Sequence, residues 1–142
     1  MTNRNQYEDI KVNIKITLSS LWASVTLCYL YGDYFGLYVP GKVEGMESGE
    51  NMLDSPARLL MAAAFLAIPA LMVFLSVLLK PSINRWLNII VGLFFTIIVL
   101  LIAFNFINPW GAFYLFLAII EAVLTSLIVW YAFKWPKQNQ DI

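Results

Sequence analysis

Long apolar runs constrain this chain more than any motif does. There are four of them: residues 16–32, 59–79, 86–106 and 110–133. A helix needs about 20 residues to cross a hydrocarbon core of ~30 Å, and backbone facing lipid must satisfy its own hydrogen bonds. The runs therefore predict an all-α fold, an integral membrane four-helix bundle forming one domain over residues 1–142. The predicted spans are about 14–32, 58–79, 84–106 and 110–133.

Composition supports the membrane class and narrows the function. Hydrophobic residues make up 61% of the chain and charged residues 13%, against about half and about a quarter in soluble domains. Histidine is absent and Cys28 is the one cysteine, which excludes His-based metal sites, catalytic triads and Cys pairs. Net charge is zero, with no basic run for nucleic acid. We therefore expect no enzymatic activity, no cofactor and no metal site.

Lysine and arginine are distributed unequally between the two sides of the predicted spans. One side carries only Lys42 and Arg58 of the nine. The opposite side carries the others: Arg4, Lys11, Lys15, Lys80, Arg85, Lys134 and Lys137. Because cytoplasmic loops are enriched in Lys and Arg, both termini are predicted to be cytoplasmic and residues 33–56 to form an outer loop.

The predicted outer loop, residues 33–56, begins with an aromatic segment. Tyr34, Phe35 and Tyr38 stand close together in it, around Gly36. Aromatic side chains are enriched at membrane–water interfaces, and glycine disfavours a regular helix. We expect this interfacial aromatic segment to lie along the outer membrane surface rather than to prolong the first helix.

The two remaining connections are short. They are residues 80–84, which contain Pro81, and residues 107–110, which contain Pro109. Short connections join helices that are antiparallel neighbours. The second, third and fourth spans are therefore predicted to pack side by side in chain order.

Glu121 is the one charged residue within the four runs, near the middle of the last. A charged side chain at mid-membrane costs about 2.5–3.5 kcal/mol on insertion scales, and desolvation favours the neutral acid. We expect Glu121 to face the bundle interior, in a buried polar site with Ser20, Ser24, Thr96 and Thr125. Two interpretations stay open: a neutral hydrogen-bond donor that ties helices together, or a site that binds or relays a proton or cationic ligand.

Two further groups of residues are candidates. Trp22, Tyr31 and Tyr114 can line a pocket for an apolar ligand such as a lipid or a quinone. Asp33 and Arg58 fall at the outer ends of their helices, where an ion pair would pin the loop over the bundle. Two separately solvated end charges are the simpler interpretation of that second group.

Several stretches combine aromatic and charged residues in a distinctive spacing: YEDIKVNIK, YGDYFGLYVPGK, NRWLNIIVG and WYAFKWP, which lie between Tyr7 and Pro136. They resemble a family of small bacterial four-span membrane proteins that has no assigned activity. The layout is also similar to that of DoxX-like four-helix membrane proteins, at the level of the fold only, which does not indicate function. The resemblance implies a multi-pass protein of the bacterial inner (plasma) membrane and transfers no catalytic or binding residue.

Three functions remain as alternatives. The first is a non-enzymatic membrane protein in which Glu121 is structural. The second is a small proton- or cation-coupled transporter or channel, expected to be a homo-oligomer, with Glu121 as its coupling site. The third is a membrane protein that binds an apolar ligand of the lipid or quinone type. Membrane lipid is the expected partner under each.

Overall fold

A computed structural model describes residues 10–137, apart from the side chain of Phe106. All regular elements in this range are helical, and it contains no strand, which confirms the predicted all-helical fold. Arg4, used above for orientation, lies outside the described residues. The helices are α1 (Ile14–Gly36), α2 (Lys42–Glu47), α3 (Pro56–Leu78), α4 (Pro81–Ala103) and α5 (Ala112–Phe133), with short 3₁₀ turns at Phe104–Phe106 and Pro109–Gly111.

Local capping sets where the long helices begin. Before α1, the side chain of Asn13 accepts a hydrogen bond from the backbone N–H of Lys15 at 2.9 Å. Before α3, the hydroxyl of Ser55 accepts one from the backbone N–H of Arg58. Proline occupies the first turn of α3 and of α4, where its missing N–H leaves no helical hydrogen bond unmade. These starts lie within a few residues of the apolar runs.

Helix α1 is longer than predicted. It continues past residue 32 to Gly36, so the start of the aromatic segment is helical and does not lie apart from the helix. Tyr34 and Tyr38 stand one turn apart, with ring centroids at 5.7 Å and hydroxyls at 3.1 Å, and Phe35 packs against Tyr34 at 5.4 Å. This packing between neighbouring aromatic side chains supports the additional turn. Gly36 ends the helix rather than preventing it.

The four long helices pack with α1 between α3 and α5, and with α5 against α4. We call the end of the helices that carries residues 37–55 the loop end, and the end where residues 79–80 join α3 to α4 the turn end. The Lys15 ammonium donates to the carbonyl of Leu79 at 2.7 Å at the turn end, and Gly32 faces Tyr114 at the loop end. Helix α1 is therefore antiparallel to both of its neighbours.

Helices α3 and α4 are the exception to close packing. They are joined by the shortest connection, yet their backbones approach over only a small part of their length. Aromatic side chains occupy the space between them. The ring of Phe65 on α3 lies 6.1 Å from that of Phe94 and 5.0 Å from that of Phe95, between centroids. Helices α3 and α4 were predicted to be packed neighbours. They do contact each other, but through these aromatic side chains rather than through closely approaching backbones.

Helices α4 and α5 approach most tightly at Gly92. A Cβ atom at this position would lie 2.8 Å from Cγ2 of Val129 and 3.6 Å from the carbonyl oxygen of Thr125. A small residue at such a crossing allows two helix backbones to come close, as is common between helices in membranes. Gly92 therefore fixes the separation of α4 and α5 one turn from Thr96.

Within residues 10–137, three helices are long and apolar enough to cross a membrane: Pro56–Leu78, Pro81–Ala103 and Pro109–Phe133. Their outward faces carry large exposed apolar side chains, including Leu60, Ile90 and Leu101. Such extensive apolar surface is unfavourable in water and suits lipid. These features indicate a membrane protein. Helix α1 is as long as α3 but more polar.

Candidate functional site

Glu121 lies on the buried face of α5 and is only 5% exposed. Its backbone carbonyl accepts a hydrogen bond from the hydroxyl of Thr125 at 2.8 Å, but no side chain or backbone group among the described residues donates to its carboxyl group. Every fully enclosed side-chain nitrogen or oxygen in this part of the chain has a partner. The carboxyl oxygens of Glu121 are therefore accessible to water-sized molecules, although the residue is 95% covered.

Thr96 and Thr125 connect α4 to α5 beside Glu121. The hydroxyl of Thr96 lies 2.8 Å from the hydroxyl of Thr125 and 2.8 Å from the carbonyl of Gly92. The Thr125 hydroxyl in turn donates to the Glu121 carbonyl. This chain of hydrogen bonds ends on the backbone of Glu121. It positions the helix turn that carries the carboxyl group without binding the carboxyl itself.

Ser20 and Ser24 do not join this site. Both are exposed on α1, and the Ser24 hydroxyl donates to the backbone carbonyl of Ser20 at 3.0 Å. The buried face of α1 instead follows the larger residues Leu18, Trp22 and Val25. A serine hydroxyl satisfied by the preceding turn of its own helix can face lipid, whereas the indole N–H of Trp22 needs a partner inside. The prediction that Ser20 and Ser24 belong to the buried polar site with Glu121 is therefore wrong.

On the loop-end side of Glu121, α1 and α5 bring several polar groups together. The carboxyl group interacts electrostatically with Tyr29 and Cys28 of α1, with Tyr114 of α5 and with Asp33. The two helices are close here: a Cβ atom added at Gly32 would lie 3.5 Å from the Tyr114 ring. Asp33, Tyr29 and Tyr114 are therefore the polar residues that surround Glu121 on its loop-end side, and we call these three residues the polar column.

On the turn-end side of Glu121, the interior is apolar and closed. Trp22, Val25, Phe95 and Ile128 are each 0% exposed and belong to one contiguous core. The rings of Trp22 and Phe95 meet edge to face with centroids 6.1 Å apart. We call these four residues the apolar layer. It lies between the carboxyl group of Glu121 and the buried asparagine side chains of α4, which are nearer the turn end.

On the turn-end side of the apolar layer, and joined to it through Trp22, lies a second buried polar group, which the sequence did not predict. The indole N–H of Trp22 donates to Oδ1 of Asn88 at 2.7 Å, and the Ser76 hydroxyl donates to the same oxygen at 3.3 Å. The Asn88 amide donates to Oδ1 of Asn84 at 2.7 Å, and the Asn84 amide donates to the Ser76 carbonyl. We call these four residues the asparagine network; all are 0% exposed. The signal for it was two asparagines one turn apart on an apolar helix.

Trp22, Tyr31 and Tyr114 do not line one pocket. Trp22 is fully buried in the asparagine network, while Tyr31 is 52% exposed and stacks on Phe35 with centroids 6.3 Å apart. Trp22 and Tyr31 are nine residues apart, and at about 100° per residue this places them on opposite faces of α1. Tyr114 is half-buried at the α1–α5 interface.

Asp33 and Arg58 do not form the candidate ion pair. Arg58 instead binds Asp54, one turn earlier, with 2.8 Å between Nη1 and Oδ1. The partner four residues away on the same segment is held in reach by the local backbone, whereas Asp33 belongs to a different helix. Lys42 at the start of α2 is the cation that acts electrostatically on Asp33. In the described part of the chain, no group of three or more His, Cys, Asp or Glu residues is arranged to hold a metal ion.

Comparison with known proteins identifies the family of this chain but no similar curated protein or solved structure. No curated protein and no solved structure gives a significant match, so the DoxX-like layout stays a prediction. A family model does match, over residues 7–141, which is nearly the whole chain and includes all the stretches singled out above. The chain therefore belongs to DUF6326, a family of unknown function.

Proposed function

We propose that this chain is a non-enzymatic, four-span protein of the bacterial inner membrane that binds and releases a proton at Glu121 through its loop end. The fourth span in this proposal is α1. Its 23 residues equal the length of α3 and α4, and it lies between α3 and α5, both apolar enough to span. A helix enclosed in this way is shielded from lipid on two sides, which accommodates its more polar composition.

The proposed orientation places the turn end in the cytoplasm. Lys15, Lys80, Arg85 and Lys134 all lie at this end, as the excess of cations in cytoplasmic segments requires. Lys15 also donates to the carbonyls at the end of α3, where cations interact favourably with the helix dipole. The loop end, with its acidic and aromatic residues, then faces the periplasmic side.

One observation carries the proposed role of Glu121: the residue is 5% exposed, and its carboxyl group lacks a hydrogen-bond donor among the described residues and is still accessible to water-sized molecules. The structural alternative requires a hydrogen bond from or to this carboxyl that ties helices together. The neighbouring hydroxyls of Thr96 and Thr125 are instead directed to each other and to backbone carbonyls. A membrane carboxyl without such a bond is suited to exchanging its proton.

A proton fits this site better than a metal cation does. Metal cations such as Ca²⁺ take about 6–8 oxygen ligands, and Mg²⁺ requires near-octahedral geometry. Within the described part of the chain, Glu121 is the one carboxylate in the four apolar runs, and Cys28 and Tyr29 are the residues of its α1 neighbourhood on which it acts electrostatically. The polar column from Tyr29 to Asp33 supplies a route for protons to the loop end, while the apolar layer blocks the route to the turn end.

Infrared titration of the full chain in lipid nanodiscs tests the proposal. We expect a protonated-carboxyl band that disappears between acidic and alkaline buffer and is absent from Glu121→Gln, which preserves the shape of the side chain. Asp54→Asn is the matched control, because Asp54 is exposed at the loop end and should not contribute to a membrane-embedded band. A band that survives in Glu121→Gln, or that never titrates in the wild type, would overturn the assignment.

Proteoliposomes then separate binding from transport. With an imposed pH gradient and an entrapped pH indicator, proton flux in the wild type and its loss in Glu121→Gln would extend the role to a transporter. Titration of the carboxyl without flux would leave Glu121 as a proton-binding site open to one side only, as the closed apolar layer favours.

A further inference from the structure

Two cavities on the surface of α5 meet at one tryptophan. The first lies at the turn end between the start of α1 and the end of α5, has a volume of about 570 Å³, and is lined by residues that include Lys11, Thr17, Tyr131 and Lys134. The second is a groove of about 750 Å³ between α4 and α5. Trp130 borders both cavities. We call them the head cleft and the tail groove.

The head cleft is cationic. Lys11 approaches it from the segment just before α1, and Lys134 approaches it from the residue that follows α5. No hydrogen bond or ion pair engages either ammonium group within the described residues; Lys134 lies over the Trp130 ring, 4.3 Å from its centroid. The described residues that line the cleft include no acid. The cleft is therefore complementary to an anion held between two separate chain segments.

The tail groove is apolar and extends along α5. Its floor consists of small side chains, Ala118, Ala122 and Ser126, between the larger Leu100 and Leu127. From Ala118 to Trp130 the groove follows α5 for about 18 Å at 1.5 Å per residue. One leaflet of a bilayer has a hydrocarbon thickness of about 15 Å, half of the ~30 Å core. The groove therefore matches the length of one acyl chain in the leaflet next to the turn end.

The geometry points to a specific site for one anionic phospholipid. Its phosphate lies in the head cleft between Lys11 and Lys134, and one acyl chain runs past Trp130 into the tail groove. Any membrane protein touches lipid; this site differs because a two-lysine anion cleft and a chain-length groove are joined at a single aromatic residue. The turn end faces the anionic cytoplasmic leaflet in the orientation proposed above, but the site does not depend on the role of Glu121.

Native mass spectrometry of the delipidated full chain tests this site. We expect phosphatidylglycerol to be retained and phosphatidylcholine to be lost under the same activation. Replacing both cations, Lys11→Gln with Lys134→Gln, should weaken phosphatidylglycerol binding by about 30-fold, from two surface ammonium contacts. The matched control is Lys42→Gln, which removes a cation at the loop end. Equal retention of the two lipids, or an equal loss in the control, would overturn the proposal.

A groove-filling variant tests whether the acyl chain binds in the tail groove, and a separate measurement with inorganic phosphate tests whether the headgroup alone is bound. Ala122→Phe should fill the groove and weaken phosphatidylglycerol binding while both lysines remain; Ser126→Leu is a milder second variant in case the first does not fold. Inorganic phosphate should give no thermal stabilisation at the lipid concentrations used. Unchanged lipid binding in a folded groove variant, or stabilisation by phosphate alone, would show a headgroup site without a chain site and contradict the inference.

Discussion

Two polar regions are buried in the described part of this molecule. The side chains of one are fully hydrogen-bonded, whereas the carboxyl group of the other receives no hydrogen bond. The asparagine network, formed by Trp22, Ser76, Asn84 and Asn88, is 0% exposed and has a partner for each of its side-chain groups. Glu121 as a residue is nearly as well buried, yet its carboxyl group receives no hydrogen bond from the described residues. A fully satisfied buried network fixes one arrangement of its helices, whereas an unsatisfied acid adds little to stability. Hydrogen bonds between buried side chains therefore stabilise the turn end, whereas the carboxyl group of Glu121 makes no such contribution.

The largest effect should come from breaking the asparagine network. Asn88→Ala removes the acceptor of the Trp22 indole and the Ser76 hydroxyl and the donor to Asn84, leaving several buried groups unpaired. We expect a loss of roughly 2–4 kcal/mol in unfolding free energy, measured in mixed detergent micelles. Asn105→Ala, which removes one exposed hydrogen bond to its own helix, is the control and should change little. A loss below that of the control would mean that the network does not stabilise the fold.

The next effect concerns the crossing that lies between the two regions. Gly92→Ala places a methyl group 2.8 Å from the Val129 side chain, so α4 and α5 must separate near Thr96. We expect a net loss of about 1–2 kcal/mol, since overpacking exceeds the gain in helix propensity. At Gly36, where a methyl group meets nothing within 4 Å, the same substitution should be neutral or stabilising. Thermal unfolding of the two variants side by side gives the measurement.

Glu121→Leu should leave stability unchanged or raise it, in contrast to Asn88→Ala. Because no hydrogen bond to the carboxyl is lost and a buried polar group is replaced by an apolar one, we expect stability to stay level or rise by about 1 kcal/mol. The measurement is chemical unfolding in the same micelles as for Asn88→Ala. A destabilisation comparable to that of Asn88→Ala would place Glu121 in a structural network and remove the contrast between the regions.

The smallest effect should come from the ion pair outside both regions. Asp54→Asn breaks the exposed contact to Arg58, whose charges are well solvated. Exposed pairs one turn apart contribute less than about 0.5 kcal/mol, and high salt reduces this further. Unfolding free energies at low and high salt should therefore differ little from the wild type. A larger loss would indicate that the loop-end pair carries tertiary structure.

The sequence predicted the helices well because long apolar runs dominate it. The predicted starts at residues 58 and 84 fall two and three residues after the observed starts at Pro56 and Pro81, and the predicted end of the first span at residue 32 misses the turn to Gly36, where packing between aromatic residues prolongs α1. Which face of a helix is buried was harder to predict. In a membrane both large apolar and small polar residues can face either side, so Ser20 and Ser24 gave no reliable indication.

The candidate site was predictable only in part for a related reason. Glu121 stands out because acids are rare in apolar runs, and Thr96 and Thr125 share its level. The asparagine network was not predictable from single positions, because it depends on Trp22 and Asn88, 66 residues apart, meeting through tertiary packing. Arg58 likewise binds Asp54, four residues earlier in the chain, whereas the sequence indicated only Asp33, on a different helix, as its candidate partner.

Because α3 and α4 make few backbone contacts with each other, the chain can be cut between them without separating closely packed helices. Each of these helices packs mainly on a different partner, α3 on α1 and α4 on α5, so the molecule consists of two hairpins docked along α1 and α5. A chain cut between Leu79 and Lys80 would leave both hairpins whole. Two fragments expressed together should therefore reassemble in the membrane, and the first hairpin can form during synthesis before the second has left the ribosome.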